Sequence, residues 1–403
     1  MDSFESKNMK KVTIHKIKRF LSRRGVTLLF IAATIFIIPS RWCMMGSGRA
    51  FDGDGKFQGS LARGVEKWIH GENRLLSPDS LQTGYELFNG EWLFGTYFMA
   101  GMGYGQTALE HPEWKKRHAA LMTECVDNIL DERVSEFDTD SWNGQSALSD
   151  LEDGTVNHAA FFGYTNLLLS LVRMVEPDSK YAELNDRITA ALKKSLSQSP
   201  IGLIATYPGE YYPVDNCAVA GSIGLHGRAT GTDHTEFLET WTRSFRERYI
   251  DPESGLLIQA VSGSSGLPID QARGSGTALG AYMISFSDRK LGRELFLAVK
   301  RELADTILGF GVIREYPEGI QGKGDIDSGP LILGYGISPT GFTLGLSRIY
   351  GDRDLYRRIF ATSDLFGTPI SRRGNRNYIL GGSLGDAIMF AMLTAPPGQG
   401  GDI

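Results

Sequence analysis

The sequence predicts an all-α fold, a toroid of six helical hairpins or (α/α)6 barrel, with an N-terminal membrane segment. Three observations predict it. After residue 85 a polar or acidic loop runs six times into a small-residue-rich apolar helix. These starts lie roughly 55–65 residues apart, a regular spacing of the kind that marks repeat architectures, with a unit longer than the common ones. A second, more charged amphipathic stretch separates most of them, and nothing sustains the period-two alternation of a half-buried strand. Two helices per unit close into a ring whose inner helices pack around the axis. The outer helices form the shell, and one rim collects the six polar loops.

The N-terminus is a separate object. Residues 1–24 are basic, with Lys10, Lys11, Lys16, Lys18, Arg19, Arg23 and Arg24. An apolar run from Val26 to Ile38 follows, closed by Pro39. A charged block before an apolar run marks a signal or signal-anchor. The run is short for a spanning helix, which needs ~17–25 residues. Extension through Trp42, Met44 and Met45 lengthens it, with Arg41 interrupting. No A-x-A cleavage site follows. The expectation is an uncleaved anchor over residues 1–45, with the body outside the cytoplasm, on the periplasmic side in a bacterium. Residues 46–80 read as linker and lead-in, because Gly46-Ser47-Gly48 and Gly53-Asp54-Gly55 are flexible. Leu61–Ile69 adds a short amphipathic helix. Removal of residues 1–45 is therefore expected to leave a soluble, folded protein. The toroid is expected over 81–396, with a tail at 397–403.

The six inner helices start at Asn89-Gly90-Glu91-Trp92, Asp153–His158, Tyr212–Cys217, Asp270–Gly274, Asp325–Pro330 and Gly381–Asp386. Glycines inside them, such as Gly221 and Gly224, cost about 1 kcal/mol each against alanine, which close helix packing offsets. Outer amphipathic helices are expected over Glu113–Arg133, Tyr181–Leu196, His234–Tyr249, Asp288–Leu308 and, shorter, Asp352–Phe360. Arg243, Arg246 and Glu247 belong to their solvated faces.

Composition narrows the function. The 403 residues carry a net charge of −5, which leaves no basic footprint for nucleic acid. Three cysteines make no disulfide framework, and no CxxC or HExxH spacing points to a metal. The densest chemistry lies in Thr206–Cys217, where Tyr207, Glu210, Tyr211, Tyr212, Asp215 and Asn216 crowd a proline-stiffened loop. Asp215 opens the next helix, so it is either a helix cap or a general acid or base at the toroid mouth. His158 starts another inner helix at the same rim and has the pKa for proton transfer. It is equally read as a satisfied structural histidine. Arg273 suits a carboxylate or substrate hydroxyl, or pairs structurally with Asp270 or Asp215. Tyr316, in Arg314–Glu318, repeats the Tyr207-Pro208 phrase. Asp325 and Asp327 sit in a glycine-rich loop and are readable as solvating it.

From about residue 92 to 390 the order of these phrases resembles the linalool dehydratase-isomerase family. The resemblance rests on His158 after a polar loop, the Pro177–Tyr181 turn, Tyr207–Asn216 and Ile250–Gly255. It implies a six-hairpin toroid that adds and removes water on an alkenol by acid–base chemistry, without a cofactor. It places His158 at an active-site histidine. The family's two active-site cysteines fall at Thr206 and Asp215, and its acidic residue and tyrosine before the first inner helix have no match in residues 75–90.

The expected function is that of a membrane-anchored, extracytoplasmic toroid enzyme. Its chemistry would be of hydro-lyase or isomerase type on a small hydroxylated substrate, with Asp215 and His158 as the acid–base pair. Tyr207, Glu210, Tyr211, Tyr212, Asn216, Arg273 and Tyr316 would hold the substrate. The alternative enzyme is a glycoside hydrolase or lyase acting on envelope carbohydrate. An inverting glycosidase would need two carboxylates ~6.5–9.5 Å apart, and Asp215 against Glu210, Asp325 or Asp327 supplies the candidates. A non-catalytic envelope binding protein is the third reading, in which Asp215 and His158 share no cavity. No cofactor or metal is expected. The expected partners are a small molecule or carbohydrate and the membrane, and homo-oligomer formation stays open.

Overall fold

A computed structural model describes residues 38–70, 86–152 and 156–397, together with Gly154 and isolated positions in 25–34 and 77–83. The basic block and most of the apolar run of the expected anchor lie outside the described residues. Among the described residues no helix is long and apolar enough to cross a membrane.

Six of the described helices form a closed ring. In chain order these inner helices are Glu86–Glu110, Ala159–Val175, Pro213–Thr230, Gly274–Ile284, Ile337–Ile349 and Gly382–Leu393. Each packs on the next, and the sixth packs back on the first. Their apolar faces point both at neighbours and at the shell, so they read as apolar nearly all round. The outer helices are Lys115–Ile129, Ala182–Gln198, Thr235–Tyr249, Arg289–Glu302 and Arg353–Gly367, each packed on the inner helix before it. Gly55–Ile69, read from sequence as part of a lead-in, is the remaining shell helix. It packs across the sixth and first inner helices, and Asp54 caps it by accepting from the Phe57 amide at 2.8 Å.

Close approach explains the inner glycines. A Cβ at Gly221 would lie 2.2 Å from the Met283 carbonyl oxygen, and one at Gly163 would lie 3.0 Å from the Val219 amide nitrogen. The ring is filled, not open. Across the axis Tyr282 donates to Gln106 Oε1 at 3.0 Å, and Gln106 donates to the Ala391 carbonyl at 3.0 Å. Arg348, wholly buried, closes the ring at the far end. It donates to Phe51 O at 3.0 Å, to Ala395 O, and to Glu110 Oε1 at 2.6 Å.

Three expectations about elements change. Asn89–Trp92 lies inside the first inner helix, not in a loop before it. The helix expected over 113–133 breaks at Leu130, and a second helix, Glu132–Ser141, starts with Asp131 as its cap. The helix expected to reach Leu308 stops at Glu302. There Ala304–Ile307 turns back on Phe310–Ile313 as a hairpin, because Thr306 and Ile307 favour strand and Gly309 allows the turn. Two further short antiparallel pairs, Glu210–Tyr211 with Val261–Ser262 and Pro369–Arg372 with Asn375–Tyr378, complete the described strands. All lie in the loops before inner-helix N-termini, and these loops build a bowl over the filled axis.

Candidate active site

Asp215 lies in the first turn of the third inner helix, which begins at Pro213. Its carboxylate is committed to side chains. Thr206 Oγ1 donates to Oδ2 at 2.6 Å, and the Tyr164 hydroxyl donates to Oδ1 at 2.9 Å. Burial pushes its pKa up to about 6. The two donated bonds oppose this, and the charge of Asp327 adds to it.

Glu91 faces it from the first inner helix. The Tyr207 hydroxyl donates to Glu91 Oε1. Burial pushes the Glu91 pKa up to about 7; the Tyr207 bond opposes, and the charges of Asp327, Asp215 and Glu210 add. The charges of Asp215 and Asp327 thus reach Glu91, although it belongs to a different repeat.

The third wall is the loop before the fifth inner helix. Arg273, buried at the start of the fourth inner helix, donates to Asp325 and, through Nη2, to Asp327 Oδ2 at 3.0 Å. Its Nε lies 3.6 Å from Glu315 Oε1, too far for a hydrogen bond. Glu315 is fully buried and accepts from Ser275 N at 3.1 Å and Ser275 Oγ at 2.6 Å. Burial pushes its pKa up to about 7, against the Ser275 bonds and the Arg273 charge. Asp325 is raised by burial, but bonds from Ser328 and Arg273 outweigh this and hold it below the usual range. The Asp327 side chain is 54% exposed and is tied to the bowl by its ion pair with Arg273. Burial pushes its pKa up, Asp325 adds, and Arg273 opposes. Gln259 also reaches Asp327, at 3.4 Å.

The other sequence candidates divide. Tyr207 enters the bowl through Glu91. Tyr212 donates to Glu210 Oε2 at 2.6 Å at the exposed lip. Tyr211 packs its ring over Gly263 and forms wall. Tyr316 donates to Lys323 O at 3.1 Å beside Arg273. Asn216 is wholly buried and bonds only backbone, accepting from Ile204 N at 2.8 Å and donating to Ile204 O and Tyr212 O. It is a clip that shapes the loop. Arg273 pairs with Asp325 and Asp327, not with Asp270 or Asp215.

His158 does not meet Asp215. It is fully buried in a left-handed backbone conformation, φ 60°. Its Nδ1 lies 2.6 Å from Asp138 Oδ2. Its Nε2 lies 3.3 Å from Asp150 Oδ2 but out of line for a hydrogen bond. Its ring lies on Trp142, centroids 4.6 Å apart. Trp142 in turn donates to the Thr206 carbonyl at 3.2 Å, so His158 reaches the Asp215 site only through two intermediaries.

Glu91, Tyr164, Thr206 and Glu315 are the site groups that sequence reasoning left out. Glu91 had a signal, being the acid of the first repeated phrase. Tyr164 and Glu315 had none, since each depends on a contact between repeats.

No protein-family model matches the sequence, and no curated protein matches it. Similar solved structures include a GH76 α-mannanase from Bacteroides thetaiotaomicron, 12% identical, covering 86% of this chain and 97% of that one with a TM-score of 0.49. Dfg5 from Chaetomium thermophilum, solved in complex with glucosamine, is 13% identical over 84% of this chain and 91% of its own, TM-score 0.49. An unsaturated glucuronyl hydrolase from Streptococcus agalactiae is 11% identical over 86% and 94%, TM-score 0.43.

Proposed function

We propose that the bowl is the active site of a glycoside hydrolase that works by carboxyl acid–base chemistry. One observation carries this reading. Glu91, Asp215 and Asp327 come from three separate repeats and converge on one bowl, with two of them pushed up to about 7 and about 6. Burial raises both groups toward neutrality and leaves Glu91 the weaker acid, which suits it to the acid role and Asp215 to the base role. Glu91, the weaker acid, holds its proton near neutrality and gives it to the glycosidic oxygen. Asp215, ionised sooner and steadied by Thr206 and Tyr164, takes a proton from water as its oxygen bonds the anomeric carbon. The sugar–oxygen bond breaks, and the two proton transfers balance. Tyr212, Glu210 and Arg273-held Asp327 suit sugar hydroxyls. The basic block before an apolar run supports a further part of the proposal, that the body is held at a membrane outside the cytoplasm.

Release of reducing sugar from a panel of glycans and aryl glycosides tests this. Glu91→Gln and Asp215→Asn should each lower kcat by roughly 10²–10⁴-fold, the size of one general acid or base. The wild-type kcat/KM should rise through a pKa of about 6 and fall through about 7. Full activity in both folded variants would refute the pairing.

A second reading keeps a specific observation. Thr206 and Asp215, the two positions where the linalool dehydratase-isomerase resemblance expects reactive side chains, are bonded to each other at 2.6 Å. The same acid would then protonate a substrate hydroxyl, water would leave, and the base would take a neighbouring C–H proton to form an alkene. Proton NMR of the products separates the two readings, since one yields a free anomeric centre and the other an olefin.

A further inference from the structure

The large exposed apolar side chains are unevenly distributed over the described body. Leu267 and Ile269 lie in the loop before the fourth inner helix, Ile320, Ile332, Leu333 and Ile337 around the start of the fifth, and Ile379 and Leu380 before the sixth. All stand on the mouth side, around the bowl. Leu333 is 84% exposed and Leu380 74%. Around the far rim, where inner helices end and outer helices begin, Leu109 is the one such side chain among the described residues. Isolated exposed leucines need no explanation, but a set gathered on one face does.

Backbone conformation gives a second, independent observation. Three tight two-residue turns project from this face: Leu308-Gly309, Leu333-Gly334 and Arg373-Gly374. Both residues of each turn have positive φ, with Leu308 at 52°, Leu333 at 55° and Arg373 at 54°. Such turns favour asparagine or aspartate at the first position. Leucine there is strained by about 1–2 kcal/mol and gains nothing from packing when it points into solvent. Strain kept at an exposed tip points to a function of that tip.

The chain also arrives on this side. The apolar run joins the body at the helix Ile38–Cys43, which packs on the outer helix Arg353–Gly367. Ser40 lies against Gly309 at the first tip, and Cys43 lies near Asp364 in the last turn of that outer helix. Ile38, Trp42 and Met45 are exposed there, Trp42 by 70%, continuing the apolar belt. Arg41, Arg372, Arg373 and Lys323 are exposed on the same side, and the mouth loops also carry the exposed acids Glu210, Asp270, Glu318, Asp325 and Asp327, away from the Arg372-Arg373 tip in the chain. Aliphatic and aromatic tips flanked by arginine and lysine match a lipid interface with anionic headgroups.

We propose that the mouth face seats on an anionic lipid bilayer, with the leucine tips in the headgroup boundary and Arg372 and Arg373 on the headgroups. The bowl then opens onto the membrane. This orientation stands whichever reaction the bowl performs.

The full chain, carrying Cys43→Ser, tests this with one fluorescent label at Leu380→Cys or Leu333→Cys on the mouth and at Thr232→Cys on the far rim. The proteins are reconstituted in phosphatidylcholine vesicles with and without phosphatidylglycerol, and spin-labelled lipid is the quencher. Docking predicts strong quenching at positions 380 and 333 and little at 232. It also predicts that Arg372→Glu with Arg373→Glu weakens docking on anionic vesicles roughly tenfold or more. Equal quenching at both poles, or more at Thr232→Cys, would overturn it. Protection of the mouth that scales with protein density at constant lipid would assign the face to a second copy of the chain and overturn it as well. If Leu380→Cys does not fold, Leu333→Cys on the neighbouring loop gives the same readout.

Discussion

Burial makes Glu91 and Asp215 different acids. Both lose solvation, but Asp215 accepts from two hydroxyls and Glu91 from one. Burial raises both, Asp215 from 3.8 to about 6 and Glu91 from 4.5 to about 7; each donated bond opposes the rise, and the acidic neighbours Asp327, Asp215 and Glu210 add to it at Glu91. Thr206→Val removes one donor while keeping the shape of the side chain. Its loss should raise the Asp215 pKa, so the acidic limb of the pH–rate profile should move upward while the basic limb stays. Rate data in which both limbs hold still would deny Thr206 this role. Part of the site was legible at this scale. Asp215 was singled out because proline, tyrosine and acid crowd one loop, and its carboxylate accepts from the Thr206 and Tyr164 hydroxyls. His158 was singled out by its place before an apolar helix, but the chain turns there through a left-handed residue. That turn sends the ring behind Trp142 toward Asp138, and no spacing rule foretells it.

At the scale of elements, the inner helices were readable because their apolar, glycine-rich character differs from the charged shell. Their starts were placed from polar phrases, and this missed at Asn89–Trp92, where the helix begins earlier, and at Asp325–Pro330, where it begins only at Ile337. The short helix read at Leu61–Ile69 starts earlier, at Gly55, and its place in the shell was hidden, since it packs Leu61, Val65 and Ile69 by reaching the other end of the chain. The hairpins were hidden for a related reason. Leu308-Gly309 and Leu333-Gly334 are not among the usual turn dipeptides, so sequence reading extends a helix through the first. That choice has a measurable consequence. Leu333→Asn should stabilise the protein by roughly 1 kcal/mol in the absence of lipid, by relieving the left-handed leucine. Chemical denaturation with an unchanged m-value would record it. No gain, or a loss, would mean that Leu333 is not strained there.

At the scale of the whole molecule, several repeats bring Glu91, Asp215, Glu315 and Asp327 to one end of the ring. Concentrating acids there has a cost that pH reveals. Glu91 and Glu315 have folded pKa values of about 7, above the ordinary value of 4.5. Between those values the folded chain holds more protons than the unfolded one, so stability falls as pH rises through that window. The protein should unfold at lower urea at pH 8 than at pH 5.5, and Glu91→Gln should narrow the gap. A wider gap in that variant would reverse the assigned sign. The most direct measurement of the central claim is a carboxyl 13C NMR titration of the full chain, with Glu91→Gln and Asp215→Asn used to assign the signals. Midpoints at about 7 for Glu91 and about 6 for Asp215 are the predicted result. Midpoints for both groups near 4, the range of free surface carboxyls, would contradict it.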